Sequence, residues 1–286
     1  MEKLLGLKID VDTYVGMEKG VPSLLKVLGK LGLKATFYLS IGPDASGRAM
    51  LTLLRNPLFL KKMLRTNAVG LYGLKTAFYG TLLPSPMIAL SFPNLVNQII
   101  AQGHEVQFHA WDHRRWQDDL SRHSIAWIGT WFARGVEGFA KLTGQAPTSF
   151  GAPAWLVDDR VMETLKHYNF SYLSCTRAKE PFIHEGCGQV EIPSDLPCLE
   201  EVGVERGAGI IAGLLQSGGV HVLPLHAEVE GGIHQDWFVK LMETVAAMGY
   251  QAVPLGVIET KLTRATMPVR KYRMEMLAGR AAPCAV

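Results

Sequence analysis

Two histidines four positions apart stand in the stretch His109-Ala110-Trp111-Asp112-His113, directly after Val106-Gln107-Phe108. Imidazoles at that spacing can face one way, at a strand end or on one helical turn, and both can bind one metal ion. A third, acidic ligand must come from elsewhere in the chain. The candidates are Asp10 and Asp12, which close the apolar stretch Leu4-Leu5-Gly6-Leu7-Lys8-Ile9. A further histidine, His226, ends Val222-Leu223-Pro224-Leu225, with Glu228 two residues on. Two histidines and one carboxylate form an open site for a divalent metal and leave a position for water. Such a metal brings the pKa of water from about 15.7 to about 7, which supplies hydroxide to a poor electrophile such as an amide. The attacking water needs a base, and the leaving amine needs a proton. Asp10 and Asp12 are two apart, so both side chains can reach one face of a strand. Asp12 is assigned to the metal with His109 and His113, Asp10 to the base and His226 to the acid.

These groups meet only if the scaffold gathers strand ends. Residues 4–12 have the pattern of a buried strand. Residues 20–31 have helical spacing through Val21, Leu24, Leu25, Val27, Leu28 and Leu31, with Pro22 near the start, where its missing N–H costs nothing. Residues 34–40 are a second strand, so the opening is a βαβ unit and the sheet is parallel. After the strand ending at His109, a helix is expected over 124–142, capped by Ser121 or Ser124. Strands at 148–152, 172–176, 189–193, 220–227 and 251–255 alternate with helices at 157–168, 208–215 and 235–248. Seven or eight strands with intervening helices predict an α/β barrel, whose active site collects at the C-terminal strand ends. Asp10, Asp12, His109, residues 151–155 with Trp155, Arg177, His226 and Glu228 all fall at such ends.

The alternation breaks between strands two and three. Residues 41–104 exceed one crossover helix, with helical spacing at 51–64 and an apolar, aromatic stretch at 71–92. Residues 45–104 contain no Asp or Glu, yet Arg48, Arg55, Lys61, Lys62, Arg65 and Lys75 are present. Apolar and purely basic surface suits an anionic lipid headgroup layer, at about 1 kcal/mol per Lys or Arg. No apolar run reaches the length of a membrane span, so peripheral contact is expected. The net charge of +3 gives no case for nucleic acid. Cys175, Cys187, Cys198 and Cys284 contain no C-x-x-C pair, which fits unpaired thiols in a reducing compartment. Met1-Glu2-Lys3 leads straight into a strand without signal-peptide architecture, so a cytoplasmic start is expected. The tail over 261–280 is rich in Lys and Arg and is expected either to extend the basic face or to be solvated. One catalytic domain over 1–286 accommodates all of this.

Asp10-x-Asp12, Gly103-His104-Glu105-Val106 leading to His109 and His113, and Leu223-x-Leu225-His226 resemble the polysaccharide deacetylase (NodB-homology) family, in order and over nearly the whole chain. The resemblance implies a distorted (β/α)7 barrel and a divalent metal, usually zinc, with manganese, cobalt or nickel also compatible. It also implies removal of N-acyl groups from sugars, with the roles assigned above. Ile9-Asp10-Val11-Asp12-Thr13, Asp44 with Arg48, residues 59–72, Trp116 and His226-x-Glu228-x-Glu230 are similar to a branch of the family acting on a lipid-linked sugar. That branch deformylates a 4-formamido-arabinose carried on polyprenyl phosphate, at the cytoplasmic face of the inner membrane, in lipid A modification. Asp44, Arg48, Trp155, Arg177 and Glu228 then become candidates to bind or support the substrate. One departure stands out. The family has Arg-x-Pro where this chain has Gly151-Ala152-Pro153. That arginine orients the base, and Arg177 is the expected substitute. Glu228 is expected to touch the sugar or support His226. The alternatives are a deacetylase of another N-acylated sugar and a non-catalytic lipid-glycan binding protein. The latter should have lost some of Asp10, Asp12, His109, His113 and His226, and all five are present.

Overall fold

The structure is a computed structural model that describes residues 2–48 and 79–286. The expected helix at 51–64 and most of the basic residues of the insertion lie outside the described residues. Among the described residues, ten strands make one sheet. They are β1 (Leu4–Val11), β2 (Thr36–Ser40), β3 (Glu105–Ala110), β4 (Ser149–Phe150), β5 (Tyr172–Leu173), β6 (Phe182–His184), β7 (Val190–Glu191), β8 (Val220–His226), β9 (Gln251–Val253) and β10 (Val269–Arg270). The order is β10-β6-β7-β5-β4-β3-β2-β1-β8, with β9 on β1. All pairs are parallel except β6 with β7.

The sheet curls into the expected distorted barrel of seven parallel strands. Its ring is β1-β2-β3-β4-β5-β7-β8, and no ladder joins the last two. The segment after β7 closes the gap instead. Leu196 N–H donates to Val222 O at 3.2 Å. The Asp195 carboxylate accepts from Val222 N–H at 2.7 Å and contacts His221 Nδ1 at 2.6 Å. A side chain therefore does what a ladder does elsewhere in the ring.

All eight residues of β1 are buried, as both faces of a covered parallel strand require. Helix α1 (Val21–Leu31) buries Val21, Leu24, Leu25, Val27 and Leu28 and stops at Gly32, whose φ is 67°. Helix α2 (Pro93–Ala101) precedes β3. Helix α3 (His113–Asp119) begins at the second histidine of the pair. Helix α4 (Ile125–Thr143) takes its cap from Ser124, which accepts from Trp127 N–H at 3.3 Å. Its Trp131 and Phe132 pack on Phe108 of β3 and Phe150 of β4. Ile125 is 47% exposed because it lies in the first turn, beyond that aromatic cluster. No helix among the described residues is long and apolar enough to cross a membrane.

The tail is neither loose nor merely basic. It adds β10 beside β6, and its Lys271 and Tyr272 both bond Asp159. A hairpin of β11 (Met274–Glu275) and β12 (Cys284–Ala285) then buries Cys284 and Ala285 completely. Short bonds to folded surface, invisible to hydropathy, hold it.

Candidate active site

Strand register brings the chemistry together. β1 and β8 pair with Asp10 opposite His226, although 216 positions separate them in sequence. Across the other edge of β1, β2 leads to β3. There Leu39 pairs with Phe108 and Ser40 with Ala110, so His109 is the extra residue of a bulge. A bulge re-aims the side chain it carries, and here it turns His109 toward the rim. Asp112 caps α3 by accepting from Arg115 N–H at 2.9 Å, which sets His113 at the first helical position. The two histidines thus sit on a strand end and a helix start, not on one helical turn.

Asp12, just past β1, lies between them. His109 Nε2 is 3.1 Å from Asp12 Oδ1, and His113 Nε2 is 3.2 Å from Asp12 Oδ2. One ligand atom from each of the three lies within 4.8 Å of the others. The donor set fits a divalent cation in two further respects. Asp12 Oδ1 and His109 Nε2 are buried without a hydrogen-bond partner, which is costly unless an ion engages them. His109 Nδ1 is 2.8 Å from Gly151 O, and donation there fixes the tautomer that turns the Nε2 lone pair toward Asp12. Burial pushes His113 down to about 4, so the ring is neutral near pH 7. Burial favours a neutral Asp12, but the neighbouring histidines outweigh it and hold the carboxyl well below its ordinary range. A neutral imidazole and an ionised carboxylate are the ligand forms that metals bind.

Asp10 has a partner that the sequence reading missed. Lys8, fully buried in β1, places Nζ 2.8 and 2.6 Å from the two Asp10 oxygens. The ammonium also lies 5.0 Å from the Tyr38 ring centre and 5.3 Å from that of Trp155. Arg177 does not take this role. Its guanidinium donates to Ser194 O and Leu196 O and pairs with Glu201 at 2.5 Å. It lies over Trp155, 4.7 Å from the ring centre, and bonds residues of the closing segment rather than Asp10.

His226 likewise has another partner than expected. Its Nδ1 is 2.8 Å from Glu200 Oε1. Burial alone would lower its pKa, but the carboxylates of Glu200, Asp12 and Asp10 raise it well above the usual value. Glu228 is not its support. Glu228 is buried, its Oε2 has no hydrogen-bond partner, and burial with the charge of Asp12 pushes its pKa well up. Glu230 instead accepts the backbone N–H of His226 at 2.8 Å.

Asp10, Asp12, His109, His113, Trp155 and His226 line one cavity of about 220 Å³, together with Glu200, Glu201 and Arg280. Asp44 and Arg48 stand outside it. Asp44 accepts from Tyr14 N–H at 2.7 Å and Ser46 N–H at 2.9 Å, pinning the loops after β1 and β2 together. Arg48 pairs with Asp119 at 3.4 Å. Trp155 is 3% exposed, and both it and Ala154 adopt left-handed backbone (φ 53° and 54°). Each such residue costs of order 1–3 kcal/mol, a strain that clusters at functional sites. Lys8, Glu200 and Arg280 escaped the sequence reading. For Lys8 the signal was there: a lysine two residues before Asp10, inside a strand that is otherwise apolar.

Comparison with known proteins gives the family. The polysaccharide deacetylase family model matches residues 2–173. A Shewanella sediminis protein named as the 4-deoxy-4-formamido-L-arabinose-phosphoundecaprenol deformylase ArnD is 35% identical over 88% of this chain and 84% of its own. A Wigglesworthia glossinidia brevipalpis protein of the same name is 29% identical over 93% of this chain and 96% of its own. A crystal structure from Mycobacterium smegmatis, assigned to the polysaccharide deacetylases, is alike in fold at a TM-score of 0.67 and 16% identity. It covers 97% of this chain and 96% of its own. With more than half its length matched by the family model, the chain belongs to the polysaccharide deacetylase family, hydrolases of carbon–nitrogen bonds.

Proposed function

We propose that the protein removes the N-formyl group from a 4-formamido-arabinose carried on polyprenyl phosphate and releases formate, as a step in modifying lipid A with aminoarabinose. The observation that carries this is the single cavity in which Asp10 and His226 flank the Asp12–His109–His113 group. The relatives named as deformylases of a phosphoundecaprenol-linked sugar supply the substrate class.

Asp12, His109 and His113 would hold a divalent cation, zinc before manganese, cobalt or nickel. Bound there it supplies Lewis acidity to the amide oxygen and acidity to water. Asp10 takes the proton from the attacking water, and Lys8, bonded to both its oxygens, holds the carboxylate in place. His226, held protonated by Glu200, gives a proton to the amide nitrogen as the carbon–nitrogen bond breaks. Formate and the free amine result.

Lipid contact is part of the same reading. Residues 45–104 lack acids, and at the described edge of this stretch Leu82 is 80% exposed and Leu83 41%. A peripheral position on an anionic membrane, at the cytoplasmic face, gives these residues a partner. The test is to incubate purified protein with formylated and acetylated polyprenyl-phosphate sugars and identify the acid released. Formate from the first supports the deformylase. Acetate alone would make it a deacetylase of another N-acylated sugar.

A further inference from the structure

The carboxy-terminal strap enters the cavity that holds the triad. Gly279, Arg280 and Ala281 form part of its wall. The strap is anchored on the far side by the buried β12, where Ala285 O accepts from Arg177 N–H at 2.8 Å. Gly279 has φ +83°, and a Cβ there would stand 2.5 Å from Glu201 O. Only glycine lets the strap lie this close. Arg280 is thereby fixed. Nη1 is 3.2 Å from Glu201 Oε1, Nη2 donates to Ala154 O at 3.0 Å, and the guanidinium lies 4.8 Å from the Trp155 ring centre. Its Nε–H is buried with no acceptor.

The charges on this wall do not cancel. Glu201 is shared between Arg177 and Arg280, so two guanidiniums face one carboxylate. Elsewhere around the site Lys8 answers Asp10, and His226 answers Glu200. The surplus positive charge lies beside Arg280, and no step assigned above uses it. Arg280 also lies beyond residues 2–173, outside the part that the family model matches.

We propose that Arg280 binds the phosphate joining the sugar to its lipid, and so selects anionic over neutral glycosides. The inference rests on the proposed lipid-linked substrate. In such a molecule one pyranose ring separates the amide from the phosphate. Here one cavity of about 220 Å³ has the triad and Arg280 on its walls. A guanidinium whose Nη1 and Nη2 each keep a second N–H matches phosphate oxygens in charge and geometry. The anchored strap orders it in advance, which removes an entropy cost from binding.

Two probes built on the same formamido-arabinose isolate the phosphate: its neutral methyl glycoside and its anionic methyl phosphodiester. Wild-type protein should prefer the phosphodiester in kcat/KM by roughly ten- to a hundredfold, mostly through KM. Arg280→Gln should bring that ratio close to one, and Arg280→Lys should restore part of it, with metal content equal in all three. An undiminished ratio in Arg280→Gln overturns the inference, and so does a wild type that treats both probes alike while still releasing formate. Absence of formate from these probes and from the lipid-linked sugar would overturn the functional reading and this inference with it.

Discussion

Lys8 and Asp10 point to the same face of β1, two residues apart, and meet there as a buried ion pair in which Nζ reaches both carboxylate oxygens at 2.6 and 2.8 Å. With Asp10 as the proposed base, the pair would keep it oriented in a chain without the Arg-x-Pro that the resemblance leads one to expect. Gly151 stands at that arginine's position, and a Cβ there would lie 2.8 Å from Tyr38 and 3.3 Å from Cε of Lys8. A lysine from β1 fills space toward which an arginine side chain at position 151 would project.

Lys8→Met should lower kcat at least tenfold while leaving bound metal in place. It should also destabilise the fold, because removing one partner of a buried pair costs about 3–5 kcal/mol. Lys8→Arg should recover part of both. Turnover, metal analysis and thermal melting together check this. Unchanged kcat in a folded Lys8→Met protein would refute the positioning role.

Asp12→Ala, His109→Ala and His113→Ala should each lose bound metal and activity together. Asp10→Asn should keep the metal and lose about 10²- to 10⁴-fold in rate, the usual worth of a general base. Metal analysis beside turnover decides it. If Asp10→Asn loses metal while Asp12→Ala retains it, the two acids have exchanged roles. Chelator treatment should abolish formate release and added zinc should return it. Full activity in stripped protein would contradict the metal assignment.

Glu200→Gln removes a carboxylate that raises the His226 pKa. His226 then loses its proton at lower pH, so the alkaline limb of the kcat/KM profile moves to lower pH. The Glu200 side chain is 43% exposed, so solvent screens the effect. A superimposable profile would show that another group is the acid.

Stability should fall as pH rises from neutral. His221 has a raised pKa because of its bond to Asp195, the residue that closes the ring. The folded state then holds a proton that the unfolded chain releases near 6.5. The stabilisation is complete below that pH and is lost as pH climbs through the raised folded-state value. Melting temperature from pH 6 to 9 should therefore decline more steeply in wild type than in His221→Gln. Equal slopes would remove His221 from the account.

Much was legible in the chain alone. The βαβ opening, the parallel strands, the acids closing the first strand and the spacing of His109 and His113 are local patterns. Each element needs only its own neighbours to be recognised. Ring closure through Asp195, the bulge at His109, Glu200 beside His226 and the strap that delivers Arg280 are pairings across long stretches of sequence. Hydropathy and spacing carry no record of which distant polar atoms will face each other. Arg177 shows the difference. Sequence reasoning looked for the same residue type that was missing, whereas packing filled the space with a different cation from a neighbouring strand. Local chemistry named the candidate groups, and tertiary packing decided which partners hold them, because that choice is made by shape and burial between segments that meet only in the folded molecule.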